Sequence, residues 1–453
     1  MSLLFLNRKG EEVGKWEELA PVKMLVHFRR PDGYNGEFGF DWLQDEFKTC
    51  TTLDNLEREY KPTNIYGRKY LIPWLSLSKG KTAKINLIIE ELEGDISDKD
   101  TIHLTSQKGI RFNPAEIKVN TISGKVKHHP TGEDKGVEVE VICDEYISSD
   151  VIINIYNQKD EVIGKLSVLK NDNEKELIFP VRVVEFVQKG QEQADISGME
   201  LKMINSIDFI GCLGIDECLD KLESHMNKYA FIQALAQCRF ERKNNIIQTY
   251  TVAIDNQEWI SKGYIDAGGK ICANDELLSL LLGEYKLQVE KSTGFFRGVV
   301  VFITNFEHNS SGGKGSVSII DDRHCIIFKS NLGDINSYIH EIGHVLGLAH
   351  TFEDWDKNII QQNEKFVVEV DNYLKNPSVS QADKEKVWKE HKDVYKAVNR
   401  NSYLFYRNKY TIPGKGTTKC CYMDYNVPEK LFTQWQWRAI QEDIKKFYNI
   451  KNK

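Results

Sequence analysis

No stretch of about 18 or more uninterrupted apolar residues occurs in this 453-residue chain, so its sequence holds no candidate for a membrane-spanning helix. An excess of basic residues is missing too. The 60 Lys and Arg against 67 Asp and Glu give a formal net charge of −7, the wrong sign for a phosphate backbone or an anionic lipid surface, and nucleic acid is not an expected partner. The nine cysteines include no CxxC pair and no Cys/His cluster at zinc-ribbon spacing, which argues against a disulfide scaffold and against cysteine-held zinc. From Met1 to Lys9 the apolar residues precede the charges, the reverse of a secretory signal. The expectation is a chain made in the cytoplasm without a Sec-type signal peptide. What is present is an ordinary globular composition, 41% hydrophobic and 28% charged, on a chain longer than one core organises, so two or three domains are expected.

Up to about Asp195 the chain reads as strands and turns. Lys84 to Glu91 (KINLIIEE), Gly136 to Ile142 (GVEVEVI), Val151 to Tyr156 (VIINIY) and Leu177 to Val187 (LIFPVRVVEFV) alternate or cluster β-branched residues, and Pro130 to Gly136 is a turn-rich break. The expected fold class is α+β and multidomain: a β-rich module over 1–120, a second β-sandwich-like module over 121–195, then a separate α/β domain over 200–453. Polar Lys189 to Gly198 is the candidate linker. Beyond it, helices are expected over Ile215 to Gln237 and Asp275 to Glu290, and strands over Ile246 to Ile254, Gly298 to Thr304, Ser316 to Ile320 and Cys325 to Lys329. The charged stretch from about 353 to 400 has helical periodicity and reads as an inserted helical hairpin.

The chemistry concentrates between Asp334 and His350. Asp334 is an N-cap, and Ile335, Ile339, Ile342 and Leu346 recur at helical spacing, so this segment is an amphipathic helix. His340 and His344, one turn apart, can converge on one metal ion, and neutral imidazole is a preferred zinc ligand. Glu341 sits beside the first of them without being a ligand, where it can act as general base. Gly347 can take the left-handed backbone that ends the helix and turns the chain, so that His350 arrives as a third ligand. Three protein ligands leave one position open, the arrangement of a catalytic rather than a structural zinc site, and one Zn2+ is expected.

These residues spell HExxHxxGxxH, and the segment resembles the zinc signature of the metzincin metalloproteases. The resemblance covers roughly residues 200 to 453. It implies that Cys420 to Tyr425 forms the methionine turn, with Met423 as a hydrophobic floor under the metal, and that Tyr425 approaches the zinc or donates to the oxyanion. It also implies a zinc endopeptidase acting on a protein or peptide, which lies extended along an edge strand, either Ser316 to Ile320 or Cys325 to Lys329. Gly347 to Phe352, Met423 to Tyr425 and Phe432 to Gln436 are most similar to the pappalysin and cytophagalysin branch. That branch carries a calcium-bearing loop after the third histidine. Here Glu353 to Lys357 and a charged insertion follow instead, which leaves calcium dependence open. Thr433 and Gln436 form a capping box for a final helix.

In the N-terminal half, Val26 to Tyr34 and Trp74 to Leu77 resemble modules of bacterial type VI secretion cargo. That resemblance implies an effector or toxin exported by a non-Sec system, with a secretion-machinery or inhibitor partner for these modules. The competing class is a non-catalytic zinc-containing component of a secretion or surface assembly, against which the intact Glu341 speaks. His128 and His129 beside Pro130 read as a solvated loop, and His308 and His324 as surface or supporting residues. Cys50 or Cys143 could ligate the zinc as an inhibitory thiolate only if the N-terminal half acts as a prosegment.

Overall fold

Strands built from β-branched residues dominate the first 170 residues, and the two larger sheets they form draw on either side of residue 120. The computed structural model describes residues 2–6, 12–17, 23–50, 53–94, 100–122, 124–172, 177–272, 277–309, 311–315, 323–351, 357–389, 391, 421–424 and 431–448. Strands β1 (Lys23–Arg29) and β3 (Val137–Cys143) both pair antiparallel with the long β2 (Thr82–Glu93), and Ile110–Asn113 and Lys125–Val126 complete a five-stranded sheet. A six-stranded sheet runs through Glu116–Lys118, Thr101–Leu104, Val151–Asn157, Val162–Val168, Trp74–Ser76 and Gly39–Asp41. Alternation along Val151–Asn157, with every second residue buried, is the period-two pattern of a strand with one face inward.

Chain contacts separate two units: Met1–Tyr34, Phe40–Asp45 and Tyr60–Asp172 in one, Asn35–Gly39, Glu46–Glu59 and Asn173–Lys453 in the other. Strand β4 (Leu177–Gln188), expected among the N-terminal strands, belongs instead to the second unit and is the hub of its sheet. It pairs parallel with Ala236–Phe240 and Thr249–Ile254 on one side and with β5 (Val299–Thr304) on the other. Every residue of β5 is buried, as a central parallel strand requires. Beyond β5 lies β7 (His324–Ile327), parallel to it, and then the antiparallel edge strand β6 (Gly313–Gly315).

The expected linker is in fact helix α1 (Glu192–Ile204), fixed by burial of Met199 and Met203 one turn apart. Helices at Ile215–His225 and Leu277–Tyr285 fall within the expected spans, each followed by a π turn, and Ala236–Phe240 is a strand where the first span ran on. In the insertion, Lys357–Lys375 and 381–389 are helical. Among the described residues, no helix is long and apolar enough to cross a membrane. The molecule is a mixed α/β protein with several sheets in two units.

Candidate metal centre

Helix α2 (Ile335–Val345) starts where the sequence places it. The Asp334 carboxylate accepts from the Asn336 amide at 3.1 Å, and Asp208 from the Ile335 amide at 2.9 Å, which satisfies two of the amides a helix start leaves open. Ile335, Ile339, Ile342 and Leu346 are all buried. Gly347, at φ 87°, ends the helix in a Schellman turn: its amide donates to the His344 carbonyl at 2.8 Å and that of Leu348 to the Gly343 carbonyl at 3.0 Å. Gly347→Ala is expected to lower stability by about 1–2 kcal/mol, the cost of a Cβ in the left-handed region, and to weaken zinc binding by displacing His350. Urea unfolding and a zinc titration check both.

The turn brings His350 back over the helix. The Nε2 atoms of His340, His344 and His350 form a nearly equilateral triangle, 3.1 Å between His340 and each of the others and 3.2 Å between His344 and His350. Tetrahedral coordination at Zn–N distances of about 2.0–2.1 Å requires nitrogens about 3.3 Å apart, so the triangle fits the ion. The tautomers fit as well. Nδ1 of His340 faces the Tyr422 carbonyl at 2.6 Å and Nδ1 of His344 the Leu348 carbonyl at 2.8 Å. A carbonyl can only accept, so both Nδ1 atoms carry protons and both Nε2 lone pairs point into the triangle. Burial, reinforced by His340 and His350, pushes the His344 pKa well below its usual value and keeps this ring neutral, as a ligand must be.

Met423 is fully buried, and its backbone carbonyl accepts from the Thr351 amide at 3.0 Å. The segment 421–424 thus braces His340 through Tyr422 and the chain after His350 through Met423. A Cβ on Gly343 would come within 2.7 Å of the Met423 sulfur, so a glycine is needed for the methionine to pack against this turn of the helix. Tyr425, Ser316 to Ile320 and Glu353 to Asp356 lie outside the described residues.

Glu341 is 8% exposed. A Cβ on Gly313 would sit 2.7 Å from its Oε1 and 2.8 Å from its Cγ, so the edge strand β6 lies directly against the carboxylate and only a glycine permits it. This corrects one of the two expected edges: the stretch Cys325 to Lys329 supplies β7, an interior strand, and among the described residues β6 lies outside it. Sequence reasoning missed Gly313 because its closeness to Glu341 depends on sheet pairing. His308 and His324 are buried rather than on the surface. His308 Nδ1 accepts from the Ser311 amide at 3.1 Å, two residues before β6, and His324 Nε2 faces the Leu278 carbonyl at 2.6 Å. Burial raises the pKa of the Cys143 thiol above its usual value.

No protein-family model matches the chain and no curated protein matches it. Among solved structures, archaemetzincin from Methanopyrus kandleri is similar at 12% identity and a TM-score of 0.22, over 39% of this chain and 78% of that one. Domains 4 and 5 of the S-layer protein SbsC are similar at 11% identity and a TM-score of 0.13, over 37% of this chain and 78% of theirs. Scores this low carry no argument about function, and the functional reading rests on the geometry of the histidine triangle and Glu341.

Proposed function

We propose that the chain is a zinc-dependent endopeptidase that hydrolyses peptide bonds of a protein substrate. The observation that carries this reading is the triangle of His340, His344 and His350 Nε2 atoms, a candidate three-ligand set, with the Glu341 carboxylate beside it one residue along the helix from His340. A bound Zn2+ supplies Lewis acidity, which polarises the scissile carbonyl and lowers the pKa of water to about 7.

The remaining work falls to the chain. Glu341 takes the proton from the attacking water, whose oxygen bonds to the carbonyl carbon. As the C–N bond breaks, Glu341 returns that proton to the leaving amine. The main chain of β6, with glycine at both ends, is suited to pair with an extended substrate. The Tyr422 carbonyl keeps His340 oriented, Met423 braces Thr351 just after His350, and Tyr425 is the proposed donor to the developing oxyanion. Motif likeness supports placing the chain near the pappalysin and cytophagalysin branch. A role of the N-terminal unit in non-Sec export, or in binding an inhibitor, is the corresponding proposal for that half.

The test is digestion of a denatured protein and a mixed peptide library by zinc-loaded protein. Wild type is expected to cut, and stripping the metal with a chelator, or His344→Ala, is expected to abolish cutting together with one equivalent of zinc. If zinc is held by these histidines and nothing is cut, general proteolysis is refuted.

A further inference from the structure

The N-terminal unit holds a second convergence of metal-ligating side chains. His27 lies on β1 and Glu90 on β2, where Leu25 pairs with Glu90 and His27 with Ile88. In an antiparallel pair this makes His27 and Glu90 diagonal neighbours on one face. His27 Nε2 is 2.9 Å from Glu90 Oε2, and His129 Nδ1 approaches the same oxygen at 3.6 Å. The ligand atoms of all three lie within 4.8 Å of one another. His27 and Glu90 are each 5% exposed, whereas His129 faces solvent and leaves a way in.

The loop that carries His129 is held in place. Arg29, itself 4% exposed, donates from Nε to the Thr131 carbonyl at 3.2 Å and from Nη2 to the Pro130 carbonyl. Asp134 accepts from the Thr131 amide at 2.7 Å and from its hydroxyl at 2.9 Å. A loop braced at Pro130 and Thr131, directly after His129, presents the imidazole at a reduced ordering cost. The His27–Glu90 hydrogen bond offsets part of the cost of burying both on a face they share with Leu25, Ile88 and Arg29, and a cation held between them would give each a further partner.

We propose that His27, Glu90 and His129 form a second divalent-metal site that ties the 127–134 loop to the β1–β2 pair. Two imidazoles and one carboxylate suit a borderline transition ion of the Zn2+, Co2+ or Ni2+ kind rather than Ca2+ or Mg2+, which prefer all-oxygen sets. The bland alternative is a hydrogen-bonded pair, His27 and Glu90, with His129 near it by accident.

Equilibrium dialysis of the full chain against Zn2+, with metal analysis, separates these. Wild type is expected to hold two equivalents, and His129→Ala, a substitution of an exposed side chain, one. His344→Ala should also hold one, and the double variant none. Zn2+ should raise the melting temperature of His344→Ala but not of the double variant. A wild type with one equivalent that His344→Ala abolishes, or a His129→Ala protein with as much zinc as wild type, overturns the second site and leaves the first standing. Two equivalents in His344→Ala would overturn the first reading instead.

Discussion

Glu341→Gln is expected to lower kcat/KM by about 10²–10⁴-fold while zinc content and melting temperature stay at wild-type values. The amide keeps the volume of the carboxylate, so the packing against β6 survives, including the close approach at Gly313. It cannot take up a proton, however, so water is no longer activated and the leaving amine is no longer protonated. In the proposed site three separate histidines would hold the metal, and the tautomers of His340 and His344 are set by the backbone carbonyls of Tyr422 and Leu348. Zinc binding and base catalysis should therefore come apart in this variant. The measurement is steady-state cleavage of a peptide recovered from the library digest, beside zinc analysis of both proteins. A variant that keeps more than a tenth of wild-type kcat/KM would show that another group acts as the base.

What was legible in the sequence is what a single helix and its exit turn can encode. His340, Glu341 and His344 depend only on a 3.6-residue period, and Gly347 on the one residue type that takes φ 87° at little cost, so the triangle could be foreseen from 17 consecutive residues. The contacts that complete the centre are non-local. Gly313 belongs to a Gly-Lys-Gly strand with no β-branched residue, so no propensity marks it, and its position against Glu341 follows from pairing with β7. Strand β4 was legible as a strand but not as part of the second unit, because its partners Ala236–Phe240, Thr249–Ile254 and Val299–Thr304 follow it at distances a local pattern cannot see. Helix α1 was obscured by its polar first half, since the residues that anchor it, Met199 and Met203, come at its end. His129 was read as part of a solvated turn for the same reason: β1 and β2 bring His27 and Glu90 to it from far away in sequence.

A different kind of non-local contact fixes the far end of helix α2, and removing it should produce the largest loss of stability. Arg323→Met is expected to destabilise the second unit by about 3–5 kcal/mol, because it removes the cation paired with the Asp443 carboxylate, which is 2% exposed. The guanidinium does three things at once. It pairs with Asp443 on helix α3 (Gln434–Phe447), donates from Nη2 to the Val345 carbonyl at 2.9 Å, and lies over the rings of Phe447 and Tyr448, with centroid distances of 4.5 and 4.6 Å. Val345 follows His344 directly, and its carbonyl belongs to the last turn, where a helix has no internal donor to offer. Arg323 thus supplies that donor and ties helix α2, which carries His340 and His344, to the C-terminal one. Adding Asp443→Leu to Arg323→Met should recover much of the loss, since an apolar replacement of a whole buried pair is far better tolerated than removal of one partner. Urea unfolding of the wild type, the single variant and the double variant decides between these outcomes. If the double variant is no more stable than Arg323→Met, the loss comes from the Val345 carbonyl and the ring contacts rather than from the lost ion pair with Asp443.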